Sequence, residues 1–414
     1  MKSKMLKTTL SSLFASILLC TQVQAEPYNC YSATNWDNCG CTDRFWIDAE
    51  YLYWQIQDSP ENTILVVEGP AASPSFDGPV VGVPGYTTVL GGKNIDNNWR
   101  SGGKFGMGYW FDDTRHYGIE GNYFFLPNTS KSSSVTATGA AGTNSLFIPF
   151  YDVTTDLDSS VVIATPLADA GGVGGPLLGT ATLKVVNSMQ GAELNGLAVF
   201  PCGCAFNMSA LVGLRYWNFN ENLTFSVDSP YIPPHAVDIF EVTDKFLVKN
   251  NFYGGQIGCG LDYSCDCFSF NAKVKVALGA MCEELKINGS TFTNDFNTVP
   301  FTGTAVSYEG GMFSQVSNIG THTKTEFAVI PEVNVNFGYQ VTECFRIKVG
   351  YTFLYVSNML YAGQQLSQYI NPTQSVFLED EPAPVLTGTA APSGRMKTST
   401  LWVQGVNAGF EFQF

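Results

Sequence analysis

The chain is 414 residues long and sets 21 Lys and Arg against 36 Asp and Glu, a formal net charge of −15. Charged residues make up only 14 %, about half the usual share in a soluble domain, while aromatics also reach 14 % and Gly numbers 41. This balance argues against a nucleic-acid partner, which needs clustered Lys and Arg, and leaves a Gly- and aromatic-rich β protein, secreted or set in an outer membrane.

Lys2, Lys4 and Lys7 precede an apolar run from Leu10 to Cys20, and Val23-Gln24-Ala25 follows. A basic head, a run of this length and small residues at the −3 and −1 positions predict a secretory signal peptide over residues 1–25, cut after Ala25. The run is too short to anchor in a bilayer, and Leu19 stands where a lipoprotein signal wants a small residue. Residues 26–44 are expected to form a Cys-containing periplasmic segment, and residues 45–414 one domain. Beyond residue 25 no stretch of eighteen apolar residues occurs. Any membrane crossing must therefore be made by strands.

From residue 45 onward the apolar residues fall on alternate positions, as a strand with one greasy face requires. Tyr117, Ile119, Tyr123 and Phe125 alternate with Gly118, Glu120 and Asn122. Phe268, Phe270, Ala272, Val274, Val276 and Leu278 alternate with Ser269, Asn271, Lys273 and Lys275. Val333, Val335, Phe337 and Tyr339 alternate with Glu332, Asn334, Asn336 and Gly338. Phe345, Ile347, Val349, Tyr351, Phe353 and Tyr355 alternate with Arg346, Lys348, Gly350 and Thr352. A soluble sandwich alternates too, but here charges sit in mid-strand opposite the apolar face. Trp54, Tyr109, Tyr216, Tyr355 and Trp402 are expected in an interfacial girdle at the strand ends away from the short turns.

Short connections fall at 112–116, 201–204, 264–267 and 341–343, and long ones at about 58–101, 129–180, 227–246, 294–325 and 361–398. Short turns alternating with long loops are the periplasmic and extracellular sides of an outer-membrane barrel. Ten strands result: 45–57, 102–111, 117–127, 183–200, 205–219, 247–263, 268–285, 326–340, 344–357 and 400–414. Further hairpins in 145–165, 222–242 or 297–310 would raise the count to twelve or more. The fold class is all-β, a transmembrane antiparallel up-and-down barrel. Its last strand ends on Phe410, Phe412 and Phe414, which resembles the assembly signal read by the barrel-assembly machinery of bacterial outer membranes.

These stretches also resemble a family, putative beta-barrel porin number seven, known from planctomycetes and environmental chlamydiae. The resemblance is carried by WIDAEYLYW at 46–54, SGGKFGMGYWF at 101–111, GIEGNYFFL at 118–126, MQGAEL at 189–194 and FYGGQIGCGLD at 252–262. KVALG at 275–279, FAVIPEVNVNFGYQ at 327–340 and VGYTFLYVSN at 349–358 add to it. It implies an outer-membrane barrel and, less directly, passive diffusion of small hydrophilic solutes.

Strand parity places Asp48, Glu50, Lys104, Glu120, Glu193, Arg215, Asp262, Lys273, Lys275, Glu332, Arg346, Lys348 and Glu411 on the inner face as candidate pore-lining residues. Facing charges of both signs can keep a lumen wet, with a modest cation preference. They can equally pair into a polar core that closes a narrow barrel. Seven cysteines, Cys39, Cys41, Cys202, Cys204, Cys265, Cys267 and Cys344, sit at the predicted periplasmic turns. Close pairs are spaced Cys-x-Cys, unlike the Cys-x-x-Cys of zinc sites, so disulfides are expected, within the chain or to other envelope proteins. Cys259 and Cys282 lie within strands and read as small apolar residues.

No cofactor or metal is expected. Only His116, His235 and His322 could act as a base, each in a turn or loop without an evident partner, and no nucleophile-elbow or zincin motif occurs. An enzyme is therefore not expected. The alternative to a porin is a disulfide-stabilised structural or adhesive envelope protein, its loops over 129–182 and 367–399 binding a neighbour or covering the barrel. Lipid of the outer membrane is the expected surrounding.

Overall fold

A computed structural model describes residues 44–168, 176–202, 205–230, 240–265, 267–293, 306–379 and 384–414. The predicted leader, most of the segment before residue 45, Cys39, Cys41, Cys204 and His235 lie outside the described residues.

Along the chain the strands are β1 (Phe45–Ile56), β2 (Ile64–Gly69), β3 (Thr87–Gly91), β4 (Trp99–Trp110), β5 (Tyr117–Ala137), β6 (Ser145–Asp152), β7 (Leu157–Ala164) and β8 (Gly179–Pro201). They continue as β9 (Phe206–Asp228), β10 (Phe240–Cys265), β11 (Phe268–Thr293), β12 (Val306–Glu309), β13 (Gly320–Thr342), β14 (Phe345–Leu360), β15 (Tyr369–Ile370) and β16 (Thr398–Gln413). Ten of them, β1, β4, β5, β8, β9, β10, β11, β13, β14 and β16, pair antiparallel into a closed barrel. The ring closes on itself through β1 and β16, Trp46 opposite Gln413 and Ile56 opposite Val403. Phe45 and Phe414 exchange backbone hydrogen bonds of 2.9 and 2.8 Å. Closure leaves no open sheet edge in lipid, where an unpaired backbone group costs several kcal/mol.

The outer face is greasy along the half of each strand next to the short turns. Tyr51, Phe105, Tyr123, Leu214, Ile257, Phe337, Val349 and Phe410 all point outward and are exposed. Higher up, Lys249 and Glu284 form an outward ion pair of 3.0 Å, which marks where lipid gives way to water. Above that level the pattern inverts. Leu183, Val185, Leu223, Phe225, Val242, Phe246, Leu285 and Ile287 point inward and are buried, while polar residues take the outside. The strands thus rise well beyond the bilayer, and β5, β8, β9, β10, β11 and β13 are longer than alternation alone suggested.

The long loops build a second sheet in the extracellular mouth. β15, β6, β2 and β3 lie side by side and β7 pairs with β6. The predicted 145–165 hairpin exists as β6 and β7, but it joins this cap and not the barrel. Leu65, Val66, Ile148, Phe150, Ile163, Met312, Phe313 and Ile370 carry the cap's apolar side onto the inward face of the extended strands.

Two of the expected girdle aromatics stand elsewhere. Trp54 shares the parity of Leu52 and Ile56, so it turns inward, 3 % exposed, and its indole N–H donates to Asn407 Oδ1 at 2.8 Å. Tyr109 faces outward but lies beside the short 112–116 turn, at the periplasmic end.

Candidate functional site: a charged vestibule under an apolar floor

Every predicted inward charge lies inside the barrel. Adjacent strands in register bring them together: β1 offers Asp48 and Glu50, β4 Lys104, β14 Arg346 and Lys348, and β16 Glu411. Lys348 Nζ lies 2.9 Å from Glu50, 3.1 Å from Asp48 and 3.9 Å from Glu411. Lys104 approaches Glu50 at 3.2 Å, and Arg346 approaches Glu411 at 3.3 Å. Across the barrel Lys275 bridges Glu193 at 2.8 Å and Glu332 at 2.9 Å. Arg215 meets Glu332 at 2.5 Å and Glu193 at 3.7 Å, while Lys273 pairs with Glu120 at 3.1 Å. Asp262 accepts a hydrogen bond from Asn271 at 2.6 Å. Buried charges need such partners, since removing one leaves the other uncompensated at about 3–5 kcal/mol.

Alternation alone did not single out the amides woven through this network. Asn195 donates to Glu120 and Gln256 donates to Glu193, at 3.1 and 2.9 Å. Asn334 and Asn407 both donate to Thr352, at 2.7 and 2.9 Å. They share the parity of the charges, which is the signal that marks them.

Below this network the barrel opens into a periplasmic vestibule of about 350 Å³, with Trp46 and Trp110 at its entrance and Lys104, Lys273, Arg346 and Lys348 on its wall. Above it the lumen ends. Leu52, Trp54, Phe124, Met189, Trp217, Phe219, Phe252, Met281, Ile330 and Leu354 fill the cross-section as one cluster, none more than 7 % exposed. All ten come from barrel strands. The inward charges are thus paired with one another and at the same time line the vestibule, while the apolar cluster packs the interior above them.

Above the floor a second polar layer docks the loops. Glu221 of β9 accepts hydrogen bonds from Ser59 Oγ at 2.5 Å and from the Ala362 N–H at 2.8 Å. Arg100 donates to Asn187 at 2.6 Å, and Asn187 donates to Asn97 at 2.8 Å. Asp244 of β10 accepts the N–H groups of Met312, Phe313 and Ser314 at 3.2, 2.9 and 2.7 Å. Gly311 must be glycine here, because a Cβ would lie 2.3 Å from the Asp244 carboxylate. Burial pushes the Asp244 carboxyl up to about 6 and that of Glu61, whose Oε2 has no partner, up to about 8.

At the other end, Asp112 caps the periplasmic turn. The Thr114 hydroxyl and the Tyr117 and His116 N–H groups hold its carboxyl well below the usual range. His116 Nδ1 is 3.3 Å from Asp112, and His322 Nε2 is 2.9 Å from the Asn318 carbonyl. Among the described residues no disulfide forms: Cys202, Cys265 and Cys267 are exposed thiols on neighbouring short turns, and Cys344 occupies the next turn along the rim. Phe410, Phe412 and Phe414 face outward at the barrel seam, with Phe410 and Phe412 against Phe345.

No curated protein matches the chain. Among solved structures it is similar to the outer membrane protease OmpT of Escherichia coli, at 9 % identity and a TM-score of 0.37, covering 90 % of this chain and 97 % of that one. A Pseudomonas aeruginosa FadL homologue follows at 9 % identity and TM-score 0.24, with 90 % and 91 % covered. The toluene transporter TodX of P. putida stands at 7 % and 0.20, with 90 % of each chain covered. Overlaps this low carry no functional argument. The family model described as Putative beta barrel porin-7 (BBP7) matches residues 46–414, and with its closed ten-strand barrel the chain belongs to that family of outer-membrane β-barrel proteins.

Proposed function

We propose that this outer-membrane barrel works shut, as a structural and surface-presenting protein of the envelope. The observation that carries this reading is the apolar floor. Apart from Tyr361, which follows β14 and packs on Phe219, its large side chains belong to the barrel wall, so moving a loop would not by itself clear a path through it. Each large side chain so buried contributes about 1.5–3 kcal/mol. Unpacking Trp54, Phe124, Trp217, Phe219 and Phe252 together would rival the whole margin of a typical domain, about 5–15 kcal/mol. In this reading the chain is exported by a leader cut after Ala25, is not an enzyme, and meets its neighbours through the cap and through cysteines at the periplasmic rim.

A second reading, passive diffusion of small hydrophilic solutes, is favoured by the vestibule. It is open to the periplasmic side and lined by charges of both signs, as the mouth of a weakly selective pore would be. Planar-bilayer recording of the purified barrel separates the two. Silence across repeated insertions is the expected result. Unitary current steps of defined size would overturn the shut reading in favour of diffusion. Trp217→Ala with Phe219→Ala should then bring conductance to a silent wild type, since it opens the floor itself.

A further inference from the structure

The periplasmic vestibule has two unlike halves. On one side β1, β4, β5 and β8 are neighbours in the barrel, and they turn Trp46, Trp110, Leu197 and Val199 into the chamber. Gly108 faces Trp46 across the β1–β4 ladder, and Gly118 faces Trp110 across the β4–β5 ladder. A Cβ on Gly108 would lie 1.9 Å from the Trp46 ring, and one on Gly118 would lie 2.6 Å from the Trp110 ring. Each indole therefore rests on bare backbone, which only glycine allows at so close an approach. The ring centroids are 4.9 Å apart, and both indoles stay partly exposed. They form one aromatic shelf inside the mouth.

Across the chamber, β9, β10 and β11 carry small polar side chains instead. Asn207, Ser209, Ser264, Ser269 and Asn271 line that half. Asn271 is engaged with Asp262, but among the described residues no hydrogen bond holds the side chains of Asn207, Ser209, Ser264 or Ser269. Donors and acceptors thus face the shelf and are free to meet a ligand. The charges of the lining cancel, six acidic side chains against six basic ones. An ion of either sign gains little from such a balance, whereas a neutral polar molecule loses nothing.

We propose that the vestibule binds a neutral pyranose sugar of one or two rings, entering from the periplasm. A pyranose carries C–H groups on its face and hydroxyls around its edge. The face would lie on Trp46 and Trp110, and the edge would meet the Ser and Asn side chains opposite. The volume of about 350 Å³ falls within the range of small-molecule sites, about 300–1,000 Å³. The proposal rests on the shut reading, because the apolar floor makes this chamber a place where sugar is held and not passed on.

The test is isothermal titration calorimetry of the full-length barrel, in a detergent without a sugar headgroup, against a disaccharide of N-acetylglucosamine. Saturable binding with a Kd of about 1 mM or tighter is expected. Sorbitol, which has hydroxyls but no ring, should not bind, and Trp46→Leu should weaken the disaccharide about tenfold or more. Isolated wall glycan that sediments with the barrel and is competed off by the disaccharide would make the wall the source. Binding of the disaccharide without such sedimentation would assign the site to free sugar. No binding up to tens of millimolar overturns the proposal, as do equal binding of sorbitol and undiminished binding by Trp46→Leu. The sorbitol comparison uses the native barrel, so it stands even if the variant folds poorly. Bilayer recording reads the floor and calorimetry reads the shelf: silence without sugar binding overturns this proposal alone, and conductance with saturable binding overturns the shut reading while keeping the site.

Discussion

Asp244 and Glu61 are acids held in apolar surroundings so that loops can dock on the barrel. The three N–H donors aimed at Asp244 favour its ionised form, yet burial wins and leaves the carboxyl near 6; Glu61, with one donor, stands near 8. The consequence for stability follows from linkage. A carboxyl whose folded pKa lies above its unfolded value contributes fully below the unfolded value, near 4, and loses that contribution as pH rises through the folded one. The cap should therefore be most firmly seated near pH 4 and loosen between about pH 4 and 8, Asp244 accounting for on the order of 3 kcal/mol of the change. Asp244→Asn keeps an acceptor oxygen but does not titrate, so it should remove part of the slope between about pH 4 and 6, while Glu61→Gln should lower the slope across the whole window and abolish most of it above about pH 6. Thermal unfolding in detergent, followed by tryptophan fluorescence across this range, measures both. A slope unchanged in Asp244→Asn would refute its assignment.

Strand elements show which parts of this fold the sequence could disclose. In FYGGQIGCG, alternation puts Gly254 inside with Phe252 and Gln256, and Gly255 outside with Tyr253 and Ile257. The two glycines then differ in kind. Gly254 faces Gly279 across the β10–β11 ladder, and a Cβ on Gly279 would sit 2.2 Å from the Tyr253 carbonyl oxygen. A Cβ on Gly255 would meet nothing nearer than the Gly213 carbonyl, at 3.9 Å. Gly279→Val should therefore cost about 3 kcal/mol or more, while Gly255→Val should stay within about 0.5 kcal/mol. Urea midpoints in lipid vesicles compare them directly, and equal losses would show that the register is wrong. Strand number, parity and inward charges were legible because lipid imposes one rule on every strand. The floor and the cap docking were not, because the rule changes along a strand. In β9, Val212 and Leu214 are apolar on the outside, whereas Trp217, Phe219, Leu223, Phe225 and Val227 are apolar on the inside. That change of phase is written in the sequence, but a reading tuned to one greasy face takes the second half for a loop.

At the scale of the whole molecule, strand length decides where contacts can be made. Twenty-six residues of β10 or β11 span about 85 Å along the strand, and about 65 Å of height at a tilt near 40°. A bilayer's apolar band takes only about 25 Å of that. With short turns on one side, nearly all the excess stands on the extracellular side, where the cap fills it. The periplasmic rim is correspondingly thin, and it carries the exposed thiols of Cys202, Cys265 and Cys267 on adjacent turns. Exported thiols in such positions are open to oxidation with whatever lies beside the barrel. Intact envelopes, lysed in the presence of a thiol-blocking reagent and run without reductant, should show this chain in bands well above the monomer. Reductant should collapse those bands to the monomer, and Cys202→Ser with Cys265→Ser and Cys267→Ser should thin them. A monomer band alone, before reduction, would confine the rim thiols to this chain and leave lipid and the cap as its means of holding a place in the envelope.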